Sequence, residues 1–158
     1  MAFGPAFTAR LSDAAATEAL GRRLADALPE DASGWLVLLK GELGSGKSTL
    51  ARALLRQLGV TGPVPSPTYT LVEPYDVRGL AVYHVDLYRV AGESELPYLG
   101  WQDLRQGLVR VEWPERAPAA TEDADLLVEL DFDDDGRRVS VHAVSGRAAA
   151  VPAALRIR

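Results

Sequence analysis

The stretch over residues 41–48 constrains the fold more than any other part of the sequence. It reads GELGSGKS and matches G-x-x-x-x-G-K-[ST], a glycine-rich loop whose backbone N–H groups surround phosphate oxygens. The apolar run before it, residues 35–39, predicts a strand buried on both faces, and an amphipathic helix is predicted after it over residues 47–58. Because strand, loop and helix occur in the order that this motif requires, the sequence predicts a P-loop nucleotide-binding domain.

Two residues of this stretch carry the chemistry that the motif predicts. The Lys47 ammonium supplies a point charge for the β- and γ-phosphates, and the Ser48 hydroxyl can reach Mg²⁺. Of the 17 basic residues only Lys40 and Lys47 are lysines. In so arginine-rich a sequence, the lysine of the motif is expected to be needed for its compact charge.

Acidic residues follow two further apolar runs, and both are candidates to hold or position Mg²⁺. Asp86 lies near the end of a strand predicted over residues 80–88, where it could also cap a turn. Glu112 lies at the end of a strand predicted over residues 108–113, a position from which it could approach Mg²⁺ or an attacking water; the alternative is a surface carboxylate. His84 shares a strand face with Asp86, as a hydrogen-bonded structural residue or a metal ligand. Trp113 is a candidate for a hydrophobic lid or for a partner contact, and the alternative is a core side chain.

A candidate switch lies between the P-loop helix and the strand of Asp86. Residues 66–70 read SPTYT, and P-loop proteins often use a hydroxyl in this region to sense the γ-phosphate and its metal. Thr68 and Thr70 are therefore candidate switch residues. The alternative is a proline turn that leads into an edge strand over residues 68–72.

The remaining pattern predicts an α/β fold in a single P-loop NTPase domain over residues 1–146. A mostly parallel central sheet is expected to be flanked by helices and to end in a C-terminal antiparallel hairpin. Residues 147–158 are expected to form a partly ordered C-terminal tail. The further predicted elements are a helix over residues 12–28, short helical pieces over 93–104, and hairpin strands over 125–132 and 138–144.

Composition excludes several classes of function. Cysteine is absent, which removes disulfides, thiolate zinc sites and cysteine nucleophiles and suits a reducing compartment. A formal charge of −5 does not favour direct binding of nucleic acid. Because the sequence shows neither an apolar run long enough for a membrane span nor a secretory signal at its start, we expect no membrane association and a cytoplasmic location.

Four segments together resemble the TsaE family, also called YjeE. They are GELGSGKSTLAR from residue 41, SPTYTLVEPY from residue 66, VYHVDLYR from residue 82 and VEWPER from residue 111. The last three are more specific than a P-loop. The resemblance implies a small ATPase that uses ATP and Mg²⁺ in the biosynthesis of threonylcarbamoyladenosine in tRNA. It also implies TsaD and TsaB, which form the transferase complex, as partners, with tRNA contacted only through them.

The resemblance assigns roles residue by residue. It implies Lys47, Asp86 and Glu112 as catalytic residues and Ser48, Asp86 and Glu112 as magnesium contacts, and Trp113 matches the tryptophan of the family's EWP motif. The nucleotide contacts that it implies are Leu43, Gly44, Ser45, Gly46, Lys47, Ser48 and Thr49 around the phosphates, with Ala14 and Gly136 at the nucleoside end.

The predicted reaction is transfer of the γ-phosphoryl group of ATP to water. It is expected to be slow in the isolated protein, because no arginine finger can be identified. Arg89, Arg110 and Arg116 are candidates, and a partner is another source. The alternatives are a small-molecule P-loop kinase, for which residues 105–116 are too short to form a convincing lid, and a nucleotide-dependent binding module without significant hydrolysis.

Overall fold

The computed structural model of the protein describes residues 6–65 and 71–156. Within these ranges, helices α1 and α2 follow strands β1 and β2, and the other strands and two shorter helices come later in the chain. The strands are β1 (Ala6–Leu11), β2 (Leu36–Lys40), β3 (Val72–Val77), β4 (Leu80–Asp86), β5 (Leu108–Glu112), β6 (Leu126–Asp133) and β7 (Gly136–Ala143). The helices are α1 (Ala14–Ala27), α2 (Lys47–Leu58), α3 (Trp101–Leu104) and α4 (Ala150–Arg156), with 3₁₀ segments at Glu93–Leu99, Pro114–Arg116 and Gly146–Ala148.

The strands form one sheet in the order β1-β7-β6-β2-β5-β4-β3. The four central strands, β6, β2, β5 and β4, run parallel, whereas the pairs β1–β7, β6–β7 and β3–β4 are antiparallel. The single α/β domain and the C-terminal hairpin were predicted correctly, but the prediction of a mostly parallel sheet is wrong, because the sheet is mixed.

A tight turn explains one of the two antiparallel pairs that were not predicted. Arg78 and Gly79 both have positive φ and connect β3 directly to β4, a two-residue connection that only antiparallel strands can share. At the other edge, β1 lies antiparallel to β7 and was not predicted at all. Its apolar residues Phe7, Ala9 and Leu11 do alternate and pack on the core, but the segment is too short and too rich in alanine for that signal to stand out.

Both faces of the sheet are covered by apolar side chains. One face packs against α1 and α2 around a cluster that includes Leu24, Leu50 and Leu54. The other face packs against α3 and the 3₁₀ segment Glu93–Leu99. The two large helices cross closely at Gly21, where an added Cβ would lie 2.6 Å from the carbonyl oxygen of Leu50. No helix among the described residues is long and apolar enough to cross a membrane.

Part of the predicted tail is ordered. Helix α4 lies against α1, β1 and β7, and its residues Val151 and Leu155 are buried in the same core as α1 and α2. Arg156 donates a hydrogen bond to the carbonyl oxygen of Ala6 at the start of β1. The division of the chain at residue 146 stays a prediction.

Candidate functional site

The P-loop connects β2 to α2 and takes a conformation that its glycines permit. Gly44 and Gly46 have φ of 80° and 103°, in the left-handed region that favours glycine. Gly41 is required by close packing, because an added Cβ would lie 2.6 Å from the Leu130 carbonyl oxygen and from Ser45 Oγ. Helix α2 then begins at Lys47, as predicted, and places its N-terminus at the loop.

Two polar groups of the loop are buried without a hydrogen-bond partner among the described residues. Among the residues that the structure describes, neither Lys47 Nζ nor Ser45 Oγ has a hydrogen-bond partner, although Lys47 is only 6 % exposed. Buried polar groups in folded proteins are almost always paired, so unpaired donors that cluster in one loop indicate a ligand site. Phosphate oxygens accept hydrogen bonds from both groups, and the residues present therefore fit a nucleotide.

The Lys47 ammonium contacts the end of β5. Its Nζ lies 3.8 Å from Glu112 Oε1 and 4.3 Å from the centre of the Trp113 ring. Trp113 has a φ of 60°, and its ring also packs against Tyr88 at a centroid distance of 5.0 Å. Trp113 is thus half-buried: it packs against the core on one face of the sheet, and its ring also covers the lysine of the P-loop.

The two predicted carboxylates lie beside each other at the carboxyl ends of parallel strands. Asp86 and Glu112 are paired residues of β4 and β5. Asp86 Oδ1 accepts a hydrogen bond from the backbone N–H of Tyr88 at 2.9 Å. Burial is the main cause that raises the pKa of Asp86, and the charge of Glu112 adds to it. The structure therefore brings together both acidic residues that the sequence singled out separately.

His84 holds Glu112 in place. The Nε2 of His84 lies 2.5 Å from Glu112 Oε2, and both side chains are buried. Burial, together with the charge of Arg110, lowers the pKa of His84, so the neutral imidazole donates its Nε2–H to the carboxylate. Burial opposes ionisation of Glu112, yet the His84 hydrogen bond and the charges of Lys47 and Arg110 outweigh it and lower the pKa of Glu112.

Of the two interpretations of His84, the structure therefore shows the hydrogen-bonded one. Among residues 6–65 and 71–156, no group of three or more His, Cys, Asp or Glu side chains is arranged to hold a metal by itself. Mg²⁺ at a P-loop needs fewer protein ligands, since phosphates and water complete its shell. Ser48 at the start of α2, with Asp86 and Glu112, offers the hard oxygen donors that Mg²⁺ prefers, and this donor set fits the ion.

A cavity of about 190 Å³ lies at the predicted nucleoside end of the site. Five residues that the sequence singled out meet there, from three separate segments of the chain. The lining consists of the predicted Ala14, Gly44, Gly46, Thr49 and Gly136 together with Leu11, Asp13, Thr17, Asp135 and Arg137.

Sequence reasoning missed one side chain that lines this cavity, Arg137. Its Nη2 donates a hydrogen bond to the Gly44 carbonyl oxygen at 2.9 Å, and its guanidinium lies 4.5 Å from the centre of the Phe132 ring. The turn chemistry of the hairpin gave a signal for its bend but none for this contact with the P-loop, which joins residues 93 positions apart.

The other predicted residues take different places. Leu43, at the tip of the P-loop, is 71 % exposed. Among the arginine-finger candidates, Arg89 and Arg116 are exposed, whereas Arg110 is buried. The predicted switch residues Thr68 and Thr70 lie outside the described residues.

Together these features define a class: an α/β protein with a P-loop and two paired carboxylates beside it. The sequence model of one family, described as threonylcarbamoyl adenosine biosynthesis protein TsaE, matches residues 11–139. The chain belongs to the TsaE family, as its sequence motifs predicted.

Individual relatives agree with this assignment. The chain is 43 % identical over 110 residues to the tRNA threonylcarbamoyladenosine biosynthesis protein TsaE of Haemophilus influenzae, a match that covers 68 % of this chain and 70 % of the relative. It is 44 % identical over 114 residues to the protein of the same description from Synechocystis, with 68 % and 70 % covered. The fold is similar to a crystal structure of Bacillus subtilis YdiB, with a TM-score of 0.75, 25 % identity, and 99 % of this chain and 97 % of that chain covered.

Proposed function

We propose that this protein binds ATP and Mg²⁺ at the carboxyl end of its sheet and hydrolyses ATP during threonylcarbamoyladenosine biosynthesis on tRNA. The observation that carries the proposal is the environment of Lys47, a buried ammonium without a hydrogen-bond acceptor among the described residues. The nearest anion, Glu112, lies 3.8 Å away and is beyond hydrogen-bonding distance, so phosphate oxygens can supply the hydrogen bonds that the buried ammonium lacks. The descriptions of the relatives, each a tRNA threonylcarbamoyladenosine biosynthesis protein TsaE, support the pathway.

The residues of the site divide the work of phosphoryl transfer. Lys47 and the backbone N–H groups of the P-loop bind and neutralise the β- and γ-phosphates. Ser48, Asp86 and Glu112 are the residues that would hold Mg²⁺, either directly or through water. When bound, Mg²⁺ neutralises charge that develops on the transferring phosphoryl group.

Glu112 is also the residue placed to act on the attacking water. The hydrogen bond from neutral His84 occupies Oε2, and Oε1 remains on the side of Lys47, 3.8 Å from its Nζ. Because its lowered pKa leaves Glu112 ionised at neutral pH, its free oxygen can orient a water molecule or accept a proton from it. His84 is thus a positioning residue for Glu112.

We extend the proposal to partners. Large apolar side chains are exposed around this end of the sheet, namely Leu43, Tyr88 and Phe132, and Trp113 lies beside Tyr88. They are candidates to contact TsaD and TsaB, and Thr68 and Thr70 are candidates to report loss of the γ-phosphate to that surface. The charge of −5 supports contact with tRNA through these partners only.

The test is phosphate release from ATP with Mg²⁺, with and without the TsaD–TsaB complex. We expect slow release by the isolated protein, stimulation by the complex, and loss of the stimulated rate in Glu112→Ala. Glu122→Ala is the matched control, because Glu122 is an exposed carboxylate outside the site.

Other outcomes would favour the alternatives. Complex formation that requires ATP but yields no phosphate would indicate a nucleotide-dependent binding module. Phosphate transfer only to an added small-molecule acceptor would indicate a kinase.

A further inference from the structure

Arg110 is a charged residue that the proposed mechanism does not use. It lies on β5, two residues before Glu112, and is only 1 % exposed. Among the described residues, none of its three guanidinium nitrogens has a hydrogen-bond partner. Burial lowers the pKa of Arg110 to about 10, which still leaves the side chain charged at neutral pH.

Strand geometry places this charge directly beneath the site. Alternate residues of a strand share a face, so Arg110 lies on the same face of β5 as Glu112, about 7 Å further along the strand. It is paired with His84 on β4. Leu108, on the same face, belongs to the core beneath α1 and α2, so the guanidinium lies between the sheet and these helices. There it is too deeply buried to act as an arginine finger.

Burial of a charge at this position lowers the stability of the fold. A buried charge without hydrogen bonds destabilises a fold, and a well-packed apolar residue in its place is often neutral or stabilising. Because Arg110 forms no hydrogen bond among the described residues, its charge is best explained by its electrostatic effect on the neighbouring site. The Glu112 carboxylate raises the pKa of Arg110, Lys47 Nζ lies 3.8 Å from Glu112 Oε1, and Asp86 is the strand partner of Glu112. Two cations therefore accompany the two carboxylates of the site.

We propose that Arg110 is a positioning residue whose charge keeps Mg²⁺ from binding to Asp86 and Glu112 before the nucleotide does; this inference rests on the proposed function. With two cations beside two carboxylates, the empty site has no excess negative charge to attract a divalent ion. ATP adds its own negative charge and engages Lys47, so the metal binds favourably only together with the phosphates. Arg110 thereby couples metal binding to nucleotide binding.

The experiment removes the charge and measures metal binding without nucleotide. Mg²⁺ is titrated calorimetrically into nucleotide-free wild-type, Arg110→Met, Arg110→Gln and Arg110→Lys proteins. We expect Met and Gln to bind Mg²⁺ roughly tenfold more tightly than the wild type and Lys to resemble the wild type. The melting temperature of Arg110→Met should be equal or higher, an outcome opposite to that of a structural residue.

Arg22→Met is the matched control, since Arg22 is an exposed arginine on α1. An equal gain in Mg²⁺ affinity in this control, unchanged or weaker Mg²⁺ binding in Met and Gln, or loss of folding in both would overturn the inference. MgATP binding is measured in the same samples. A wild type that binds no MgATP contradicts the proposed function, whereas MgATP binding with unchanged Mg²⁺ affinity in the variants contradicts only the role of Arg110.

Discussion

The two ends of the parallel strands differ in how completely their buried polar groups are hydrogen-bonded. At the amino end of β6, Asp125 is 2 % exposed and accepts four hydrogen bonds. Their donors are the Leu36 backbone at 2.9 Å, Ser145 Oγ at 2.7 Å, and Nε and Nη2 of Arg147 at 2.8 and 2.9 Å. At the carboxyl end, by contrast, Lys47 Nζ and Ser45 Oγ have no hydrogen-bond partner among the described residues.

This difference in hydrogen bonding indicates that one end of the strands stabilises the fold and the other binds a ligand. A saturated network holds elements together: Asp125 joins β2, β6 and the segment before α4, and Arg147 also donates to the Gly34 carbonyl oxygen. An unsaturated cluster costs stability and is retained where a ligand completes it. The same sheet therefore has a structural end and a functional end.

The largest effect is expected for Lys47→Ala. Loss of the ammonium should lower the stimulated rate of ATP hydrolysis on the order of 10³-fold, because it removes a charge that stabilises the transition state. The loss of stability should be smaller than in Asp125→Ala, because the ammonium makes no hydrogen bond among the described residues and only a 3.8 Å ion pair with Glu112. Lys40→Ala is the control, since Lys40 is the other lysine and makes only a half-exposed ion pair with Glu115, at 3.9 Å. Steady-state kinetics and chemical denaturation measure the two effects.

Asp125→Ala should show the reverse pattern. We expect a loss of about 3 kcal/mol in the free energy of unfolding, because buried donors, including a charged arginine, lose their acceptor. ATP binding at a temperature where the variant is folded should be unchanged. Asp123→Ala, which removes an exposed partner of Arg105, should cost less than about 1 kcal/mol. Weakened nucleotide binding in folded Asp125→Ala would break the separation of the two ends.

The pH dependence of stability should differ in sign between the ends. Burial opposes ionisation of Asp125, but its hydrogen bonds from Arg147, Leu36 and Ser145 lower its pKa below the ordinary 3.8. Its contribution is present above pH 3.8 and is lost as the pH falls through the lower folded value. The pKa of Asp86 is raised, so ionisation of Asp86 costs stability as the pH rises above 3.8.

Denaturation of Asp125→Asn and Asp86→Asn as a function of pH measures these contributions. At neutral pH the first variant should be less stable than the wild type and the second more stable, and both differences should shrink in acid. The same sign for both variants would contradict the contrast.

The smallest effect is expected for Arg137→Ala. It removes the hydrogen bond from Arg137 to the Gly44 carbonyl oxygen, which holds the hairpin against the P-loop. A contact of this kind is worth about 1 kcal/mol, so ATP affinity should fall roughly fivefold. Arg138→Ala, the neighbouring exposed arginine, is the control. Fluorescence titration with a nucleotide analogue measures the change, and equal affinities in the two variants would remove Arg137 from the site.

Local patterns predicted what depends on local interactions. The bounds of α2, Lys47–Leu58, and its cap at Gly59 follow from an amphipathic repeat and a glycine with φ of 119°. The carboxylates Asp86 and Glu112 could be singled out because each ends an apolar run. Their adjacency could not, because it depends on which strands pair in the sheet.

Contacts between distant residues were the ones that sequence could not supply. The hydrogen bond between His84 and Glu112 joins residues 28 apart, and the pairing of β1 with β7 joins residues 6–11 to residues 137–142. Arg110 was visible in the sequence only as a candidate finger. Arg110 is buried because α1 and α2 cover its face of β5. The sequence of a strand buried on both faces does not show which face each helix covers, so this burial could not be predicted.

The central claim is that the unpaired donors at the carboxyl end of the sheet exist to bind nucleotide phosphates. Calorimetric titration of ATP with Mg²⁺ into the wild type, Lys47→Ala and Lys40→Ala tests it most directly. The account predicts one ATP bound per chain, binding retained in Lys40→Ala, and binding lost or weakened at least about a hundredfold in Lys47→Ala. Absence of binding by the wild type, or equal binding by Lys47→Ala, would contradict it.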